Sequence, residues 1–261
     1  MNAIAEGRTA EVFGCGPDSV LKLFRAGYSR ERAEEEARQT RLASCAGVPV
    51  PRIGRIVEVD GRYGIELERI SGPLLVEHAC SDPGRIPDLV HRMARCHQAI
   101  HAAPSDDRLP DMRVRLLERI RTAGALSAAS RARAVERLGV LPWENRLCHG
   151  DFHPGNLIVT AHGLVVIDWA DAAAGPPEAD VARSVLIMSL ACGEASSVPQ
   201  SGRKLIERFS RAYVAAYCGQ TGRARSQVEA WMPVVAAARL CERVRGEKQA
   251  LLQIIADGLP A

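Results

Sequence analysis

Residues 147–159 read LCHGDFHPGNLIV, with two histidines, an aspartate, two glycines, a proline and an asparagine set between apolar residues. A loop that interrupts buried chain must satisfy its own backbone polar groups, so this one is either a costly connector or a site. Asp151 opens the loop, Asn156 follows five residues on, and Asp168 ends a second apolar run, LVVIDW. If NLIVT and LVVIDW are strands joined at AHG, the hairpin sets Asn156 beside Asp168. Their oxygen atoms suit a hard divalent cation such as Mg2+. An unshared carboxylate at Asp151, next to a metal-bound polyphosphate, can accept a hydroxyl proton. That is the layout of phosphoryl transfer, where catalysis is mostly positioning and charge stabilisation.

Such a layout needs a cation for the phosphates. Lys22 sits in SVLKLF, a run of strand formers, where an inward lysine would reach the α- and β-phosphates. A buried lysine needs a partner. Glu36 is the best candidate, because it shares a helix face with the small residues Ala33, Ala37, Thr40 and Ala43, and that face can approach a sheet closely. Glu31, Glu35 and Leu42 fall on other faces. The turn EGRTAEVF precedes the lysine strand, and its residues Gly7, Arg8 and Thr9 can cover phosphates with backbone N–H groups, although it holds a single glycine.

These residues have to be carried by particular elements. TAEVFGCG and SVLKLF read as strands joined by the turn GCGPDS. SRERAEEEARQTRLASCAG reads as a helix with Ser29 as N-cap and Gly47 past its end, and VPVP forbids its continuation. RIGRIVEVDGRYGIELERI reads as two strands around a DG turn. The first lobe is thus β-β-α-β-β. After SGP the spacing is helical in DLVHRMARCHQAIHAA, RVRLLERIRTAG, SRARAVERLG, EADVARSVLIMSLAC, RKLIERFSRAYVAAYCG and VEAWMPVVAAARLCERVRGEKQALLQIIA. The hairpin that carries Asn156 and Asp168 is the exception in this helical part.

HGDFHPGN followed by VIDWADA resembles the aminoglycoside phosphotransferase and choline-kinase-like family, the small-molecule relatives of protein kinases. The resemblance spans nearly the whole chain, from Lys22 and Glu36 through LERISGP and HQAIH to PPEADVA. It implies an α+β, two-lobed, protein-kinase-like fold: a small β-rich lobe with one main helix over residues 1–70, and a larger, mostly helical lobe over 71–261 that carries the catalytic hairpin. It implies Asp151 as catalytic base or hydroxyl orienter, and Asn156 and Asp168 as Mg2+ ligands. Lys22 would hold the phosphates, with Glu36 positioning it. Glu68, Arg69 and Ile70 would offer backbone hydrogen bonds to the purine, and His149 and Asp180 would brace the catalytic loop. Read from its own surroundings, Asp180 is a helix N-terminal residue, a candidate cap. His153, Asp171 and Glu242 are candidates on the acceptor side. ATP is the family default as phosphate donor, with GTP open. Where protein kinases follow the Asp-aromatic pair with glycine, this chain has Ala170.

Only ADAAAG separates IDW from PPE, too short for a peptide platform, so the acceptor is a small molecule with a hydroxyl group. Its site is expected between Asp151 and the C-terminal helices. The carboxylates there are Glu178, Glu194, Glu229, Glu242, Glu247 and Asp257, interleaved with Arg239, Arg243, Arg245 and Lys248. This mixture is not a strongly anionic pocket of the kind polycationic aminoglycosides need, and a metabolic alcohol, sugar or amino-alcohol is an equal candidate. Two other functions stay open: a nucleotide-binding pseudokinase scaffold, and a metal-dependent hydrolase built on HGDFH. The histidines of HQAIH, His97 and His101, lack the glutamate of a metalloprotease motif and read as a structural pair.

The whole chain sets outer limits. It has 261 residues, 47% of them hydrophobic, enough for a core, and a formal net charge of +3, so no global field points to nucleic acid. The arginines between Arg113 and Arg146 read as a solvated helical pair, with an anion-binding face as the other reading. The eight cysteines are scattered without a CxxC pair, which suits free thiols in a reducing cytosol. The N-terminus lacks the apolar stretch of a signal peptide, and VVAAARL and SVLIMSLA are too short to span a bilayer. The expectation is a soluble cytoplasmic protein, a monomer or homodimer, that engages neither nucleic acid nor membrane.

Overall fold

The strand formers between Ala10 and Phe24 meet in an antiparallel sheet whose middle strand carries Lys22. The computed structural model describes residues 3–191 and 200–259; Cys192 and Glu194 lie outside the described residues. In chain order the N-terminal elements are β1 (Ala3–Glu6), β2 (Ala10–Gly14), β3 (Ser19–Phe24), α1 (Arg30–Cys45), β4 (Ile53–Val59) and β5 (Arg62–Glu68). The strands order as β1-β2-β3-β5-β4, all antiparallel. β1 adds a strand to the expected β-β-α-β-β. Its sequence AIAE is short, lacks alternation and is mostly exposed, so it has no pattern to read.

Local chemistry explains the turns. Asp60 and Gly61 both adopt positive φ, 50° and 71°, the requirement of a two-residue type I′ hairpin. Gly47, at φ 84°, follows the C-terminus of α1 in the left-handed conformation that glycine tolerates. Ser29 occupies the N-cap of α1, but its side chain makes no capping hydrogen bond. Ala33, Glu36, Ala37, Thr40 and Ala43 are buried as one face, joined by Gln39 and Leu42. Ala33 and Ala37 share a core with Ala10, Phe24 and Ile65. Burying an aromatic or aliphatic side chain of this size contributes about 1.5–3 kcal/mol.

The chain then runs through α2 (Leu75–Ser81), α3 (Ile86–Ala102), α4 (Met112–Thr122), α5 (Ala128–Val140), β6 (Arg146–Cys148), β7 (Leu157–Thr160), β8 (Gly163–Val166), β9 (Ala173–Gly175), α6 (Pro177–Ala191), α7 (Gln200–Thr221), α8 (Arg225–Arg239) and α9 (Lys248–Gly258). Two compact units result. One is Met1–Leu75 with Gly155–Asp171, the other Val76–Pro154 with Ala172–Ala261. The hairpin of β7 and β8 therefore groups with the N-terminal sheet, whereas the sequence predicts a single division, between residues 70 and 71. Backbone hydrogen bonds give the reason: Val166 donates to the Pro49 carbonyl at 2.9 Å, and Val159 to that of Pro73 at 2.9 Å.

In the helical unit, α3 buries Leu89, Val90, Met93, Ala94, His97, Ile100 and His101 along one stripe. β6 pairs with β9 in a short two-stranded ladder, Leu147 opposite Ala174, which three-residue runs could not announce in the sequence. The expected single helix from Val228 onward is broken. α8 ends in a 3-10 turn at Leu240–Glu242, Arg243 turns left-handed at φ 52°, and Gly246 at φ 86° precedes α9. Gly258, near the end of α9, lies against the Pro233 ring of α8, where an added Cβ would stand 2.8 Å from the proline Cβ.

Candidate active site

In the N-terminal unit, β3 lies between β2 and β5, so Lys22 opposes Val12 on one side and Ile65 on the other. Its ammonium is buried and bonds Glu36 Oε1 at 2.6 Å and Asp168 Oδ1 at 3.1 Å. Burial works against the charge, but these two carboxylates more than compensate and hold the lysine protonated well above its ordinary range. Glu36 can approach so closely because its neighbours on α1 are alanines and a threonine.

Asp168 stands two residues past β8 with φ 62°, a conformation uncommon outside glycine, asparagine and aspartate. Its side chain is 37% exposed, and Lys22 is its one side-chain partner among the described residues, through Oδ1. Asn156 is buried at the end of the 3-10 turn Pro154–Asn156, and its carbonyl accepts the Ile167 N–H at 3.0 Å. The ladder continues with Leu157 opposite Val166, so the hairpin brings Asn156 next to the Ile167–Asp168 segment. The donor set fits a hard cation: an amide oxygen, and a part-exposed carboxylate that meets Lys22 through Oδ1. Asp171 follows in the turn after Asp168.

The other residues expected around a nucleotide are disposed unevenly. Gly7, Arg8 and Thr9 form the turn between β1 and β2. The Gly7 N–H already bonds the Ala10 carbonyl, and the Gly7 carbonyl accepts from Arg25. Of the three residues expected to meet the purine, two have their N–H groups engaged: Glu68 donates to the Arg52 carbonyl and Arg69 to that of Asp18, both at 2.9 Å. The Ile70 N–H is left. Sheet register, invisible in the sequence, decides this.

In the helical unit, Asp151 follows β6 in a loop fixed from α6. Asp180 is not the cap its sequence position suggested, since it is the fourth residue of α6 and fully buried. Its carboxylate accepts the His149 N–H at 2.7 Å and the Gly150 N–H at 2.9 Å, with Gly150 at φ 79°. The same carboxylate meets His97 Nε2 at 3.0 Å and His101 Nε2 at 3.3 Å. The outer imidazole nitrogens of His97 and His101 bond the Tyr213 and Tyr217 hydroxyls at 2.5 and 2.7 Å. Burial, then the neighbouring His101, push the His97 imidazole down to about 3, so it is neutral. The cluster could in principle hold a metal ion, but each ring can donate through Nε2 and accept through Nδ1, so its hydrogen bonds close without one.

His149 Nδ1 accepts the Asp151 N–H at 3.1 Å, which turns the ring inward. Arg183, one helical turn beyond Asp180, donates from Nε to the Gly150 carbonyl. Its Nη2 lies 3.7 Å from Asp151 Oδ1 and 2.8 Å from Glu242 Oε1. His153 Nε2 is 3.6 Å from Asp151 Oδ2. Burial opposes ionisation of Asp151, yet His153 and the Arg183 guanidinium hold its carboxyl well below the usual carboxylate range. Sequence reasoning missed Arg183. The readable signal was its i+3 spacing from Asp180, which puts both on one face of α6. Glu242 faces the guanidiniums of Arg183, Arg239 and Arg119 at 2.8, 3.2 and 3.8 Å. Among the described residues, HGDFH does not gather a three-ligand metal set; the His97, His101 and Asp180 group does. Cys148 is fully buried against the Gly175 carbonyl, and burial pushes its thiol well up, so it is no nucleophile.

The chain matches the family profile described as "Phosphotransferase enzyme family" over residues 2–231. Among solved structures it resembles an aminoglycoside-3'-phosphotransferase of type VIII, at 18% identity and TM-score 0.63, covering 92% of this chain and 90% of that one. A choline/ethanolamine kinase family protein from Mesorhizobium loti aligns at 17% identity and TM-score 0.62, over 97% of this chain and 85% of that one. Amicoumacin kinase hAmiN, solved in complex with AMP-PNP, Ca2+ and Ami, aligns at 12% identity and TM-score 0.65, over 98% and 86%. A search of curated protein sequences finds no match. The fold shared with these structures is the α+β kinase-like fold.

Proposed function

This chain belongs to the phosphotransferase enzyme family of the kinase-like superfamily, and from that premise we propose that it transfers the γ-phosphate of ATP to a hydroxyl of a small molecule with Mg2+ as the metal. The observation that carries the reading is the pairing of Lys22 with both Glu36 and Asp168 at 2.6 and 3.1 Å. It fixes a permanent cation beside a part-exposed carboxylate, the chemistry needed to hold a polyphosphate and its counter-ion.

In this reading Lys22 holds the α- and β-phosphates, and Glu36 orients it. Asn156 and Asp168 hold the divalent cation, which when bound neutralises charge on the β- and γ-phosphates. Asp151 orients the acceptor hydroxyl. Its depressed pKa, set against burial by His153 and Arg183, keeps it ionised as the hydroxyl binds and makes it a weak base. Proton transfer then follows as the hydroxyl oxygen bonds to phosphorus and the bond to the β,γ-bridging oxygen breaks. The proton passes to Asp151 and on to water, and the nucleoside diphosphate leaves. Asp180 and Arg183 position the Asp151 loop. The Ile70 N–H is the available backbone donor toward a purine, for adenine or guanine alike, since nothing at Gly7–Thr9 separates ATP from GTP.

We read it as a cytoplasmic enzyme acting on a small molecule, as a monomer or homodimer; the described cysteines are free thiols, and no described helix is long and apolar enough to cross a membrane. Labelled γ-phosphate offered with a pooled set of metabolites and antibiotics tests the reading. A labelled small molecule is expected, whereas nucleotide binding without any labelled product would mark a scaffold.

A further inference from the structure

Past residue 231, where the family match ends, the break between α8 and α9 encloses a cavity of about 250 Å3 in the helical unit. Its lining includes Arg239, Arg243, Arg245 and Lys248 over the apolar Leu240 and Leu251, and no aspartate or glutamate. Arg239 is buried and engaged, to Glu247 at 2.7 Å and Glu242 at 3.2 Å. Arg243, Arg245 and Lys248 are exposed and form no ion pair among the described residues; other exposed arginines such as Arg32, Arg95 and Arg121 also lack one, but these three gather on one cavity. Three cations left without counter-charge around one cavity repel one another and favour an anion among them.

The backbone fixes where these cations stand. Arg243 caps the 3-10 turn Leu240–Glu242 in the left-handed conformation at φ 52°, where glycine or asparagine would sit with less strain. A chain of side-chain contacts also leads from the cavity wall toward Asp151. Arg239 in its wall binds Glu242, Glu242 binds Arg183 at 2.8 Å, and Arg183 lies 3.7 Å from Asp151. Glu242, a candidate on the acceptor side, already faces the guanidiniums of Arg183, Arg239 and Arg119.

We propose that this cavity binds an anionic group, a carboxylate or a phosphate, of the acceptor, so that the substrate is an anionic alcohol rather than a polyamine. The inference rests on the phosphotransferase reading for the word acceptor, and on the cavity alone for the word anionic.

Labelled γ-phosphate transfer by the full chain is measured against two pools of hydroxyl compounds, one whose members also carry a carboxylate or phosphate, the other neutral or cationic. Wild type is compared with R245Q/K248Q and with R243G, a change that relieves backbone strain and should leave the melting temperature equal or higher. Product is expected from the anionic pool. For that acceptor, KM should rise about tenfold for each charge removed, with KM for ATP within about twofold. Product from the neutral or cationic pool alone, or an acceptor KM unmoved by both variants, overturns the proposal while leaving the phosphotransferase intact. If neither pool is labelled, the phosphotransferase reading fails, and calorimetric titration with inorganic phosphate at saturating Mg·AMP-PNP decides the cavity. Saturable binding lost in R243G sustains an anion site, and none in wild type ends it.

Discussion

At the scale of single residues, the strongest statement concerns Lys22. It is buried with Glu36, and neither charge is tolerable there without the other. Lys22→Met should therefore cost about 3–5 kcal/mol in denaturant unfolding, because it leaves Glu36 buried beside Asp168 with no cation. Adding Glu36→Gln should recover a large part of the loss. A double variant no more stable than Lys22→Met would show that the two side chains are not coupled. Lys22 and Glu36 were both legible in the sequence, from a lone lysine among strand formers and from a run of small residues on one helix face. Arg183 left only its i+3 spacing from Asp180 to read, and the loop contacts of Arg183 and the partners of Asp180 left nothing. Their contacts run between residues far apart in the chain, His97 to Asp180 for example, and no local period encodes such pairs.

At the scale of elements, the Asp151 loop depends on the buried group of His97, His101 and Asp180, and this makes acid stability a specific expectation. The His97 imidazole is lowered from 6.5 to about 3 in the folded chain, so the unfolded chain takes up a proton first as pH falls. Stability is then full above about 6.5 and lost between there and about 3, at up to ~1.4 kcal/mol per pH unit. The lowered Asp180 carboxyl, ionised against burial by the two imidazoles, acts in the same direction below its ordinary value of 3.8. Unfolding measured at pH 7 and pH 4.5 should show the loss, and His97→Gln should flatten it; equal slopes for both proteins would refute the role. The hairpin gives a second test. Gly72 has φ 150°, and a Cβ there would stand 2.1 Å from the Val159 carbonyl oxygen. Gly72→Ala must displace β7 from this backbone, for an expected loss of about 3 kcal/mol, or roughly 6–12 °C in Tm for a chain of this size. An unchanged Tm would show that this contact is not held in solution. The hairpin itself was readable from two apolar runs around AHG. Its grouping with the N-terminal sheet was not, because the bonds to Pro49 and Pro73 come from loops without pattern.

At the scale of the molecule, the residues proposed to hold nucleotide and metal, Lys22, Glu36, Asn156 and Asp168, belong to one unit, and Asp151 to the other. Nucleotide binding and transfer should therefore separate under mutation. Mg·ATP at a hundred times its dissociation constant should stabilise the wild type by about 2.7 kcal/mol, read as a rise in Tm. Asp168→Ala should lose the Mg2+-dependent part of that rise, and a full rise in the variant would remove Asp168 from the metal site. Helix spacing gave away most of the helical unit, but the break at Arg243 was hidden, since an arginine carries no signal for a left-handed backbone. The cavity with its basic lining stayed hidden with it, and the C-terminal charges read only as a mixture.

Asp151 is proposed to act on the acceptor and not on the nucleotide. The most direct test is transfer of labelled γ-phosphate by Asp151→Asn, measured beside the variant's affinity for Mg·AMP-PNP. The structure predicts a fall in transfer of about 10²–10⁴-fold with nucleotide affinity within about twofold of wild type. Transfer retained in Asp151→Asn, or lost only in step with nucleotide binding, would contradict it.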